Sequence, residues 1–212
     1  RSPYLQRALL TAGVGAVAMA SQVTQLWAQV GLLAAAAVAG ALTIKLDQTS
    51  DNRMFPSHPL SLARPIGTAN WVMALSSVTH SVIGAYLPLS MQILHGVSDE
   101  AAGYAVTGLA LSWTIASMMT SHIHGQMAMR SILIGQSLCL IGLAGMALAI
   151  TDLPFSVIVT LNVVVGAGLG SSNLHLVEAS MRYAPAGEQT TTAGAIPTIR
   201  SLGIAFGSAG AG

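Results

Sequence analysis

The chain has 212 residues, 53% of them hydrophobic and 7% charged, with eight Lys or Arg against seven Asp or Glu. A soluble domain carries about 25% charged residues, so a water-soluble chain of this length could not cover its surface, and the mean hydropathy of +0.67 agrees. No basic cluster suggests nucleic acid, and a single cysteine, Cys139, excludes a disulfide framework or Cys-based metal site and reads as a small buried or lipid-facing hydrophobe.

About 20 mostly apolar residues are needed to cross a bilayer as a helix. Residues 8–28, 30–46, 68–94, 101–120, 131–150 and 155–180 meet or approach this length, and a seventh run starts near Ile199. No period-2 alternation is sustained, which excludes a transmembrane barrel. The expected fold class is all-α, a polytopic transmembrane bundle of six full spans plus a truncated seventh. The sequence stops inside the last apolar run and reads as a piece of a longer polypeptide.

The basic residues give the orientation. Arg1 and Arg7 precede the first run, and Lys45, Arg53 and Arg64 lie between the second and third. Arg130 lies between the fourth and fifth, and Arg182 and Arg200 between the sixth and seventh. The alternate connections, 29–31, 95–100 and 151–154, contain no Lys or Arg. Positive charge is retained on the cytoplasmic side, so this sidedness predicts a cytosolic N-terminus and places Arg200 at the cytosolic start of the last span. The connection 45–67, with Pro56, Pro59 and Pro65, reads as a cytosolic linker with helix breakers.

The spans differ in character. The first, second and fifth are almost purely apolar, as helices with broad lipid contact would be. In the third, Asn70, Ser77, Ser81, Gly84, Pro88 and Gln92 recur at spacings of 7, 4, 3, 4 and 4, one helical face, with His80 beside it. In the sixth, Asn162, Gly166, Gly170 and Asn173 form a similar stripe, with Ser171 and Ser172 adjacent. Polar atoms in hydrocarbon are costly unless paired or wet, so both stripes should face the bundle or a water-filled cavity.

His80, near the middle of its span, is a candidate for proton relay or ligand contact, or a neutral His bonded to a neighbouring helix. Glu178 lies within one helical turn of His175 and Arg182, so an interfacial pair of Glu178 with Arg182 is allowed. Asn162 and Asn173 suit either substrate contact or interhelical hydrogen bonds, and Trp113 either a cavity wall or lipid packing. The GxxxG spacings Gly166–Gly170 and Gly203–Gly207 permit close backbone approach. His122 and His124 lack further metal ligands nearby, and no Ser-His-Asp or paired-carboxylate arrangement stands at usable spacing, so neither a metal site nor an enzyme is expected.

The stretch 85–103 places a helix containing Gln92 before a Gly96-Val97-Ser98 turn, and Ala102-Gly103 opens the next helix. The Gly-rich stretch 165–170 is followed by Arg200-Ser-Leu-Gly203-Ile-Ala-Phe-Gly207. In this order and spacing the chain resembles the major facilitator superfamily, in its fourteen-helix drug:proton antiporter branch. The family's charged loop survives at 121–130 without its acidic residue. The resemblance implies that residues 1–46 are two linking helices, 47–67 a cytosolic linker and 68–212 a truncated C-terminal transporter half. It further implies that the third, fourth, sixth and seventh spans face a central cavity, lined by His80, Gln92, Trp113, Asn162 and Asn173.

On that resemblance the protein is a secondary transporter of a bacterial inner membrane. It would export small amphipathic compounds in exchange for protons, with no other cofactor and with an N-terminal half of the same polypeptide as partner. An uptake permease for a small solute and a non-transporting membrane sensor or scaffold are the alternatives.

Overall fold

The computed structural model describes residues 4–50 and 53–210. These residues form seven helices and no strand: α1 (Tyr4–Ala20), α2 (Leu26–Gln48), α3 (Pro65–His95), α4 (Asp99–Thr120), α5 (Gln126–Ala149), α6 (Phe155–Arg182) and α7 (Gln189–Gly210). Four of them, α2, α3, α5 and α6, are long and apolar enough to cross a membrane. Arg1 and Asp51 lie outside the described residues.

Two helix boundaries differ from expectation. The run expected over 8–28 breaks after Ala20, because Ser21, Gln22, Thr24 and Gln25 supply a polar turn; the Ser21 hydroxyl donates back to the Ala18 carbonyl at 2.8 Å. The second span, expected to be short, is therefore 23 residues long and starts with Leu26. At the other end, α7 starts at Gln189 rather than near Ile199. Glu188 caps it, its carbonyl accepting from the Thr192 amide at 2.8 Å and the Thr192 hydroxyl at 2.9 Å. The Thr- and Gly-rich stretch ahead of Ile199 is thus helical, and Arg200 lies in the interior of α7, not at its start.

The chain divides into two compact units, residues 1–82 with 179–212, and residues 83–178. In the first unit α1 packs on α2 and on α7. Gly13 of α1 meets Ala36 and Ala39 of α2, so these two helices lie side by side at their small residues. The first part of α3 runs alongside α7 in the same direction, since Ala74 and Ser77 meet Gly203 while Val78 and Ser81 meet Gly207.

The second unit is built around α6. On one side α4 runs parallel to it: Ala105 meets Asn162, Leu109 meets Gly166, and Trp113 meets Gly170. On the other side α5 runs antiparallel: Ser131 meets Ser171, Gly135 meets Gly168, and Gly142 and Gly145 meet Leu161. Ile83, Leu87 and Met91 of α3 complete an apolar core with Leu109, Cys139, Ile158 and Val165. Gly96, with φ of +61°, ends α3 in the left-handed conformation, and its amide bonds to the Gln92 carbonyl at 3.0 Å. Ser98 then caps α4, its hydroxyl accepting from the Ala101 amide at 3.3 Å.

The apolar α5 carries two different faces. Leu133, Ile134, Leu140 and Ile141 point outward and are 60–69% exposed. Its other face is small, formed by Ser131, Gly135, Cys139 and Gly142, and is spent on α6. A methyl group at Gly168 would lie 2.9 Å from the Cys139 amide nitrogen and 2.8 Å from its Sγ. Gly103, by contrast, has open space at its Cβ position. Gly168→Ala should therefore destabilise the protein by about 1–3 kcal/mol. Gly103→Ala should be neutral or stabilising by up to about 1 kcal/mol. Thermal unfolding of the two variants in detergent checks the contrast.

Candidate functional site

Helix α6 collects most of the polar side chains buried in the second unit. Asn162 has no exposed surface, and its side-chain amide donates to the Ala105 carbonyl of α4 at 2.8 Å. Its Oδ1 has no hydrogen-bond partner among the described residues. One turn further on, Gly166 lets the α4 backbone approach: a Cβ there would be 3.0 Å from the Leu109 Cα. A turn beyond that, Gly170 lies against the Trp113 backbone, and the Ser117 hydroxyl donates to the Gly170 carbonyl at 2.9 Å. The half-buried Trp113 side chain packs on the apolar core. Trp113, Asn162, Gly166 and Gly170 therefore belong to one interface, while Asn173 is half-buried at the end of the stripe.

The opposite face of α6 carries hydroxyls. Ser131 donates to the Ser171 carbonyl at 2.8 Å, and the Gln136 side chain donates to Ser172 Oγ at 2.9 Å. Four residues past Ser171, His175 is 1% exposed and its Nδ1 lies 3.7 Å from Glu178 Oε2. Glu178 thus approaches His175 on the preceding turn, a contact that helical spacing allows as readily as the one with Arg182.

In the first unit the α3 stripe points into the bundle. Asn70 is 1% exposed, donates to the Pro59 carbonyl at 3.0 Å and accepts from the Ser180 hydroxyl at 3.4 Å. Ser81 donates to the Ile204 carbonyl of α7 at 3.1 Å and shares a 2.7 Å hydrogen bond with Ser208. Gly203 and Gly207 face Ala74, Ser77, Val78 and Ser81 at backbone contact distance. His80 lies on the exposed side of α3, and Gln92 is half-buried in the second unit.

The connection between α2 and α3 is pinned at several points, which sequence patterning does not reveal. The fully buried Asp47 accepts from the amides of Met54 at 2.7 Å and Phe55 at 2.8 Å. Phe55 then packs under Ala195 and Ile199 of α7. Glu188 accepts from the Ser57 amide and hydroxyl, both at 2.6 Å, and from Arg53 at 3.4 Å. Trp71 donates its indole N–H to the Leu60 carbonyl at 3.0 Å. Between these anchors His58 takes a φ of +58°, a conformation that non-glycine residues adopt only when their neighbours hold it. The Asp and Glu residues were visible in the sequence, but their partners lie 7 to 135 residues away.

Two curated relatives are named as probable multidrug-efflux transporters. Both are from Mycobacterium tuberculosis, strains CDC 1551 / Oshkosh and ATCC 25618 / H37Rv, and each is 26% identical to this chain over 220 residues. The alignment takes in 99% of this chain and 45% of each relative, so the chain spans about half the length of the curated relatives it matches. No family model matches. Together with the four apolar helices, the relatives mark the chain as part of a multi-pass membrane protein. Among the described residues no three His, Cys, Asp or Glu side chains gather as metal ligands.

The hydrogen bonds from the Ser57 hydroxyl and amide, with the Arg53 charge beside them, hold the Glu188 carboxyl below the usual carboxylate range. A lowered folded-state value means that the clasp contributes its full stability above the unfolded value of about 4.3 and loses it as pH falls through the folded value. Glu188→Gln should lower the melting temperature at pH 7 by about 3 °C. The difference from wild type should shrink below about pH 4. Thermal unfolding in detergent across pH checks both statements.

Proposed function

We propose that this chain is the C-terminal portion of a major-facilitator-type secondary transporter that exports hydrophobic or amphipathic compounds in exchange for protons. The observation that carries this reading is the alignment of nearly the whole chain with relatives named as probable multidrug-efflux transporters. Helix direction supports it: α4 and α6 run parallel, α5 runs against α6, and α3 runs with α7. A chain that crosses a bilayer with each successive helix generates that alternation. In this reading α1 to α6 are full spans, α7 is a further one, and the basic residues set a cytosolic N-terminus in a bacterial inner membrane.

The substrate path in this proposal is walled by His80, Gln92, Trp113, Asn162 and Asn173. Glycines 166, 170, 203 and 207 serve packing rather than binding. The rest of the transporter, an N-terminal half of the same polypeptide, would supply the opposite wall, with alternating access by rocking of the halves around a midplane site. The role is transport, with the proton as coupling ion and no other cofactor.

The test is transport by the full-length protein in proteoliposomes under an imposed pH gradient, with ethidium as the probe. The expected result is gradient-driven ethidium movement that a protonophore abolishes. No gradient-driven movement of ethidium or any other lipophilic cation, by protein that is folded, would overturn the reading.

A further inference from the structure

His175 is the one buried side chain of α6 whose polar atoms the packing leaves entirely unused. It is 1% exposed, and neither Nδ1 nor Nε2 has a hydrogen-bond partner among the described residues. A neutral imidazole carries one N–H donor and one lone pair, and burying both unmet is as costly as losing two hydrogen bonds. Its buried neighbours on the same face behave differently. Ser171 and Ser172 both return their hydroxyls to the Gly168 carbonyl, at 3.1 and 2.9 Å.

The ring does have an ionic neighbour. Nδ1 lies 3.7 Å from Glu178 Oε2, beyond a hydrogen bond for a neutral ring but within reach of an ion pair for a protonated one. The Glu178 side chain is 35% exposed, so the pair joins a buried nitrogen to a carboxylate at the surface of the bundle. One turn earlier α4 and α5 bond to α6 through Ser117, Ser131 and Gln136, none of which titrates. The charged or titratable groups at that end of the two helices, His122, His124 and Arg130, are exposed. On α6 itself Arg182 follows Glu178 by one turn.

We infer that His175 and Glu178 form a proton-binding site, loaded through the partly exposed carboxylate. A proton taken up by Glu178 passes to the lone pair of the unprotonated ring nitrogen. The carboxyl O–H bond breaks, an N–H bond forms, and imidazolium and carboxylate are left as an ion pair. Release is the reverse. The use of this site as a coupling site rests on the transport reading above; its existence does not.

The test uses the full-length protein labelled with ¹⁵N-histidine in lipid nanodiscs, the His175 resonances being assigned by their loss in His175→Gln. The expected result is an imidazolium signal from the ring of the wild type on acidification, weakened or lost in Glu178→Gln. A ring that stays neutral at about pH 5 in folded protein overturns the proposal. A second arm measures ethidium in proteoliposomes. His175→Gln should lose pH-gradient-driven accumulation while retaining equilibrium exchange of the dye. Loss of both in the variant would make His175 a structural residue, and retention of both would remove it from coupling. If the ring titrates while the wild type moves no ethidium, the proton site stands and the transport reading falls.

Discussion

Backbone contact at small residues holds the second unit together, and α6 supplies most of it. Inside a bilayer apolar side chains gain nothing by leaving lipid, so helices associate through close packing and interhelical hydrogen bonds. Helix α6 provides two faces for this. Asn162, Gly166 and Gly170, four residues apart, take α4, while Val165, Gly168 and Ser171 take α5. Each face is stitched by side chains that donate across it, Asn162 and Ser117 on one side and Ser131 and Gln136 on the other. The glycines and the hydrogen bonds are one device: a side chain as short as serine reaches a neighbouring carbonyl only where the backbones nearly touch.

The first unit uses the same device and adds another. Gly203 and Gly207 bring α7 onto α3, and Ser81 donates across that contact to Ile204. The connection ahead of α3 is held differently, by two carboxylates that accept backbone amides. Asp47 takes Met54 and Phe55, Glu188 takes Ser57, and between them they fix Phe55 under α7. A connection that composition describes as a linker is therefore an ordered element with its own small core. It ties the end of α2 to the start of α7.

What the sequence made legible follows from which physical signals are local. Low charge and long apolar runs gave a helical membrane chain, and the i, i+4 recurrence of small and polar residues picked out the α3 and α6 faces. The break at residues 21–25 was missed because it is short and flanked by apolar residues on both sides. The start of α7 was missed because Thr and Gly have poor helix propensity, which the Glu188 cap and burial of Thr192 and Ala195 override. The small face of α5, Ser131, Gly135, Cys139 and Gly142, stayed hidden because the long apolar residues between them dominate the mean hydropathy of the span, though small and large residues pack in opposite ways. The clasps of Asp47 and Glu188, and the burial of His175, depend on contacts that no periodicity encodes.

The central claim is the parallel register of α4 and α6, on which both the α6 hub and the assignment of successive spans depend. Gly108 and Val163 meet across that register, with a Cβ on Gly108 lying 3.4 Å from the Val163 Cγ2. The direct measurement is disulfide cross-linking in native membranes after Cys139→Ala removes the endogenous thiol. Gly108→Cys with Val163→Cys should form an intramolecular disulfide under mild oxidation, while Thr114→Cys with Val163→Cys, displaced along α4, should not. Failure of the first pair together with cross-linking of the second would contradict the register and the packing built on it.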